Sequence, residues 1–134
     1  MEVRNAKFWG DVTKYQQVLI NVISNACRYN PPDSHIDVKI SCQSLRVKQK
    51  NAQSHTSLLS VIVRDYGPGI SKRDQSRLFK PFVSVERARS GSEYKSGAGI
   101  GLYASKVICE KLGGDICCFS GDEEQDGTVF EFRI

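Results

Sequence analysis

The sequence predicts an α/β sandwich: a mixed, largely antiparallel sheet with about three helices packed on one face. Two observations carry this. Apolar residues recur at helical spacing over residues 12–29 and again over 100–112. Runs of strand length, alternating or apolar, lie at 35–41, 58–63, 115–120 and 128–134.

Taken in order, residues 1–9 read as a short strand or linker remnant, with 1–8 the linker. Asp11 is placed to cap the first helix, whose apolar face holds Tyr15, Val18, Leu19, Val22, Ile23 and Ala26. Asn30-Pro31-Pro32-Asp33 stops it. Residues 35–41 alternate as a half-buried strand does. Residues 43–56 are polar and are expected to form a long hairpin loop. The run 58–63 is apolar enough for a central strand and leads straight into Asp65-Tyr66-Gly67-Pro68-Gly69. Ser71-Lys72-Arg73-Asp74 has the form of a capping box with Asp in place of Glu, predicting a short helix to about Phe79 that Pro81 ends. Residues 83–96, with four serines, one glycine and five charges, are expected to be a mobile loop. Gly113-Gly114 closes the second long helix. Two strands joined by an acidic turn finish the chain.

With 134 residues the chain is the size of one domain with a real core. No apolar run approaches the ~20 residues of a membrane span, and residues 1–4 lack a signal peptide's apolar stretch. Five cysteines without a C-x-x-C pair read as reduced thiols of a cytoplasmic protein. The net charge of +4 is uneven. From Val38 to Arg64 there is no acid, while Lys39, Arg46, Lys48, Lys50 and Arg64 are basic. No aromatics interleave with them, so a solvated surface is favoured over a nucleic-acid partner.

Three clusters carry chemistry. On the first helix Asn21, Asn25 and Arg28 form a narrow polar stripe at the edge of the apolar arc. An Asn carbonyl is a hard oxygen ligand suited to Mg²⁺, and an Arg can hold phosphate; the alternative is a plain polar helix flank. Asp65 ends an apolar strand, where a carboxylate needs donors. The 6-amino group of adenine is such a donor, whereas guanine presents an acceptor there. Gly67 and Gly69 let backbone pass close to a planar base; alone, this is also a plain turn. Gly97-Ala98-Gly99-Ile100-Gly101-Leu102 opens a helix, whose free N–H groups suit phosphate. No Gly-Lys-Ser/Thr follows, which excludes a P-loop, and no strand precedes it, which excludes a dinucleotide fold.

In this order the clusters resemble the catalytic and ATP-binding domain of sensor histidine kinases, in the GHKL superfamily with its Bergerat fold. Residues 17–30 resemble its N box, Asp65-x-Gly67-x-Gly69 its first glycine box, Leu78-Phe79-Lys80-Pro81-Phe82 its F box, residues 97–102 its second glycine box, and 127–132 its closing strand. The resemblance covers about residues 8–134. It implies that Asp65 binds the adenine amino group and Asn25 ligates Mg²⁺. It further implies that Asn21 and Arg28 help hold phosphates, Tyr29 lines the adenine side and Thr128 supports Asp65 and the base. Gly97, Gly99 and Gly101 would shape the phosphate end, with Ile70, Phe82, Ile100 and Leu102 as further contacts. Residues 83–96 would be the ATP lid, with Arg87, Arg89 and Lys95 as candidate γ-phosphate contacts.

The ATPase branch of the superfamily carries a Glu one turn before the metal Asn, and here that residue is Asn21. An amide cannot act as general base. The phosphoacceptor is then expected to be a histidine on a separate helical domain of a longer, possibly membrane-anchored, kinase, with a response regulator downstream. Neither His35 nor His55 has the helical, acid-flanked setting of such an acceptor. The isolated domain is expected to be a monomer. The competing readings are an ATPase or protein serine kinase of the same fold, or a degenerate module that acts by protein contact.

Overall fold

The computed structural model of the chain describes residues 10–49, 52–83, 99–120 and 127–134. The elements are α1 (Val12–Tyr29), β1 (Asp37–Gln49), β2 (Ala52–Asp65), α2 (Lys72–Gln75), α3 (Gly101–Lys111), β3 (Asp115–Ser120) and β4 (Thr128–Arg133). The strands form one sheet in the order β1-β2-β4-β3, and every neighbouring pair is antiparallel. No parallel pair occurs among them, so the mixed component of the expected sheet is absent from the described residues.

Local chemistry sets the helix ends. The Asp11 carboxylate accepts the N–H of Lys14 at 3.1 Å and caps α1. At the other end Asn30 donates its N–H to the Ala26 carbonyl at 3.0 Å and turns extended, with ψ 143°, before the two prolines. Ser71 caps α2 by accepting the N–H of Asp74, while its hydroxyl donates to the Asp74 carboxylate at 2.8 Å. The shorter Asp side chain thus takes the serine hydroxyl instead of reaching back to its backbone. The helix itself ends at Gln75, with turns rather than helix through to Lys80. α3 runs one residue shorter at each end than the expected 100–112.

The largest departure is at 43–56, expected as a loop. The β1–β2 ladder instead continues unbroken from Asp37↔Arg64 to Gln49↔Ala52. The alternation of Leu45 and Val47 with Arg46 and Lys48 is a strand pattern within a polar composition. Backbone pairing needs no continuous apolar run, which is why composition misled here.

The core lies between the sheet and the helices. Val61 and Val63 of β2, Phe130 and Phe132 of β4 and Ile116 of β3 share one face and meet Val18, Val22 and Ala26 of α1 and Cys109 of α3. Burying each Val or Phe side chain is worth roughly 1.5–3 kcal/mol. α1 packs on α3 and over β2, and α3 over β3. Lys106 ties α3 to β3 through the Asp115 carboxylate and reaches Glu110 at 3.6 Å. That hydrogen bond from Lys106 holds the Asp115 carboxyl below its ordinary range. All five cysteines are free thiols.

Candidate functional site

The polar residues of the core gather at one end of the sheet. Asp65 pairs with Thr128 across β2 and β4, and Thr128 pairs with Ser120 across β3, so the three share one rung. Asp65 is fully buried and Thr128 nearly so. Burial of a carboxylate at a strand end is costly unless donors meet it. Here Asp65 Oδ1 accepts two backbone N–H groups, from Gly67 at 3.0 Å and from Thr128 at 3.1 Å. Charge-assisted bonds of this kind contribute about 1.5–3 kcal/mol each. Oδ2 makes neither bond. Among the described residues the Thr128 hydroxyl oxygen is a buried polar atom with no hydrogen-bond partner. A rung that presents a carboxylate oxygen beside such a hydroxyl fits a ligand edge with donor and acceptor together, such as the amino face of a purine.

The turn after β2 is held from two sides. The Ser120 hydroxyl accepts the N–H of Ile70 at 2.7 Å and donates to the Gly127 carbonyl at 2.9 Å. On the other side stands the end of α1. A Cβ on Gly67 would lie 2.3 Å from the Tyr29 carbonyl oxygen, so only glycine allows this approach. Asn30, 6% exposed, stitches the same junction. Its Oδ1 accepts the Tyr66 N–H at 2.9 Å, and its amide donates to the Ser34 hydroxyl at 2.5 Å and the His35 carbonyl at 3.0 Å. The helix that carries the asparagine stripe is thereby bonded to the strand end that carries Asp65. Outside the junction the Tyr66 hydroxyl donates to Asp37 Oδ2 at 2.5 Å, which raises the phenol above its ordinary value of 10.0. The Arg64 guanidinium lies 5.0 Å from the same ring's centre.

Within the asparagine stripe, Asn21 meets the start of α3. Asn21, Asn25 and Arg28 are all half-buried. The Asn21 amide donates to the Gly101 carbonyl and to the Ser105 hydroxyl, each at 3.1 Å. Its N–H groups are thus engaged within the chain, so any part Asn21 takes in holding phosphates would not come from them. Gly99 (φ 67°) sits against the Val83 backbone, where a Cβ would come within 2.6–2.9 Å, so residues 83 and 99 stand side by side. A magnesium ion keeps several waters and takes few protein ligands, so the half-buried amide of Asn25, one turn along α1 from Asn21, is a donor of the right kind.

Several expected contacts sit differently. Ile70 is buried among the core residues, so its side chain is a core wall. Leu102 packs against the same core, while Phe82 (80% exposed, φ 60°) and Ile100 (46% exposed) stand at the surface. Gly97, most of the 83–96 segment with Arg87, Arg89 and Lys95, and residues 1–8 lie outside the described residues. His35 precedes β1 with its side chain 76% exposed, and residue 55 lies within β2 rather than in a loop. Ser105 and Ser120 join the site without any motif announcing them, and Asn30 joins it at the end of the N-box-like stretch. The one legible hint was Asn30, a polar residue placed where the apolar helix must stop.

Comparison with known proteins bears on the family and the fold. The sequence pattern of the family described as "Histidine kinase-, DNA gyrase B-, and HSP90-like ATPase" matches residues 10–134. The sensor histidine kinase WalK of Bacillus subtilis is 33% identical over 124 residues, which are 92% of this chain and 18% of that protein. The signal transduction histidine-protein kinase BarA of Escherichia coli is 33% identical over 126 residues, 93% of this chain and 12% of BarA. Histidine protein kinase 1 of Candida albicans is 36% identical over 125 residues, 93% of this chain and 5% of that protein. The chain thus spans a small fraction of these relatives' length. Among solved structures, the mycobacterial sensor histidine kinase MprB superposes with a TM-score of 0.65 at 23% identity, over 93% of this chain and 74% of that one. The catalytic domain of the histidine kinase ThkA superposes with a TM-score of 0.60 at 26% identity, over 93% and 69%.

Proposed function

Because this chain belongs to the family of histidine kinase-, DNA gyrase B- and HSP90-like ATPases, as a histidine-kinase ATP-binding domain, we propose that it binds Mg²⁺·ATP and donates the γ-phosphate to a histidine on a separate helical domain. The observation that carries the reading is the buried rung of Asp65 and Thr128 at the strand ends, with a hydroxyl oxygen that lacks a partner among the described residues. Asp65, held by two N–H groups, would accept from the adenine amino group, and Thr128 would complete the contact with the ring edge. Gly67 and Gly69 would give the base room, and Tyr29 would line the adenine side. Phosphates would lie over the start of α3, near Gly99 and Gly101, with Arg28 as a cation. Asn25 would hold the metal, which when bound neutralises charge on the phosphate oxygens.

The chain's part in phosphoryl transfer is then positioning and charge neutralisation. Water activation is not among its means. Asn21 stands where a hydrolytic general base would be needed, and its amide is bonded to Gly101 and Ser105. WalK and BarA carry histidine kinase names, and this domain is proposed to serve the same signalling chemistry, with a response regulator acting after it.

The test is phosphotransfer. Alone with Mg²⁺ and radiolabelled ATP, the chain is expected neither to label itself nor to hydrolyse ATP appreciably. Given the phosphoacceptor helices of its own kinase in trans, it is expected to label them with an acid-labile, base-stable phosphoramidate. Rapid hydrolysis by the chain alone would favour an ATPase, and acid-stable label on a partner a serine kinase.

A further inference from the structure

Taking the nucleotide site as proposed above, we infer that Ser105 is a positioning residue for its phosphate end, acting through Asn21. Ser105 lies on α3 and is fully buried. Alanine there would be the better helix former, so burial and helix propensity alone do not call for a hydroxyl. The hydroxyl belongs to a closed triangle. Ser105 Oγ donates to the Gly101 carbonyl one turn earlier, at 2.9 Å. The Asn21 amide donates to that carbonyl and to Ser105 Oγ, at 3.1 Å each.

The proton count fixes the amide. A carbonyl only accepts, and a serine has one proton to give. With that proton committed to Gly101, Ser105 presents a lone pair to Asn21. Both neighbours of the Asn21 side chain are therefore acceptors, and both are met by its two N–H hydrogens. A flipped amide would set Oδ1 against the Gly101 carbonyl with no proton between them. Ser105 thus holds Asn21 with its donors toward α3 and leaves Oδ1 for groups beyond the triangle. Toward the ligand Asn21 is an acceptor, suited to a hydroxyl or water proton and unsuited to a bare phosphate oxygen. The same bonds fix the first turn of α3, whose free N–H groups face the phosphates, against the helix that carries Asn25.

Calorimetry on the whole 134-residue chain tests this with Mg²⁺·ATP and with adenosine, which lacks phosphates. Ser105→Ala is expected to weaken Mg²⁺·ATP roughly three- to tenfold, the scale of one net hydrogen bond, and to leave adenosine within about twofold. In an Asn21→Ala background the same change is expected to cost nothing further. An equal loss for adenosine, an equal loss in both backgrounds, or no loss at all overturns the role of Ser105. Should Ser105→Ala fail to fold, Ser105→Cys keeps the shape with a weaker acceptor and is judged by the same outcomes. A wild-type chain that binds neither ligand overturns the nucleotide site itself, and the Ser105 role with it.

Discussion

Asp65 illustrates how far a residue's role can be read before its surroundings are known. Its place at the end of an apolar run, two residues before a glycine, was visible in the sequence. The bonds that make its burial tolerable were partly hidden. The Gly67 donor is local, but the Thr128 donor arrives from 63 residues away. Ser120 and Ser105 were hidden for the same reason, as were the partners of Asn30: each bonds across elements, and nothing in the local sequence names the partner. Cysteine behaviour also belongs to this scale. Cys27 and Cys42 are exposed, while Cys109 is buried. Burial first, and then the Asp115 charge, push the Cys109 thiol up from 9.0 to about 11. Iodoacetamide at about pH 8 should therefore modify Cys27 and Cys42 in the native chain and reach Cys109 only after unfolding. Mass mapping of the adducts reads this out, and Cys109 labelling as fast as Cys27 would contradict the packing. The sign for stability follows: with the folded value above the unfolded one, the contribution of the protonated thiol is full below about pH 9 and fades as pH rises through about 11.

At the scale of elements, periodic signals proved reliable and compositional ones did not. α1 occupies the expected residues because a helical apolar period and an Asp cap agree there. β3 likewise matches its alternating run. The β1–β2 hairpin was misjudged beyond residue 43, since polar strands that pair through the backbone leave little apolar trace. The stripe on α1 is proposed to be the element's functional part, and Asn25 carries a direct test. Asn25→Ala is expected to weaken ATP binding about tenfold or more with Mg²⁺ present and little in EDTA, as loss of a metal ligand predicts. Calorimetric titration under both conditions separates the cases. Equal losses would make Asn25 a helix-flank residue with no part in holding metal.

Over the whole molecule, the antiparallel order β1-β2-β4-β3 brings Asp65, Thr128 and Ser120 to one rung, and packing of α1 on α3 sets Asn21 against the first turn of α3. The helix-and-sheet class was legible from two periodicities. The strand order was not, because pairing partners far apart in sequence leave no local mark. Among the described residues no helix is long and apolar enough to cross a membrane. The central claim is that this end of the sheet reads adenine through a buried carboxylate. Calorimetric titration of the chain with ATP and GTP in Mg²⁺, repeated on Asp65→Asn, tests it most directly. The account predicts tight ATP binding, much weaker GTP binding, and a loss of about 1–3 kcal/mol for ATP in the variant, the scale of one charge-assisted hydrogen bond. Equal affinity for ATP and GTP, or an Asp65→Asn chain that binds ATP as the wild type does, would contradict it.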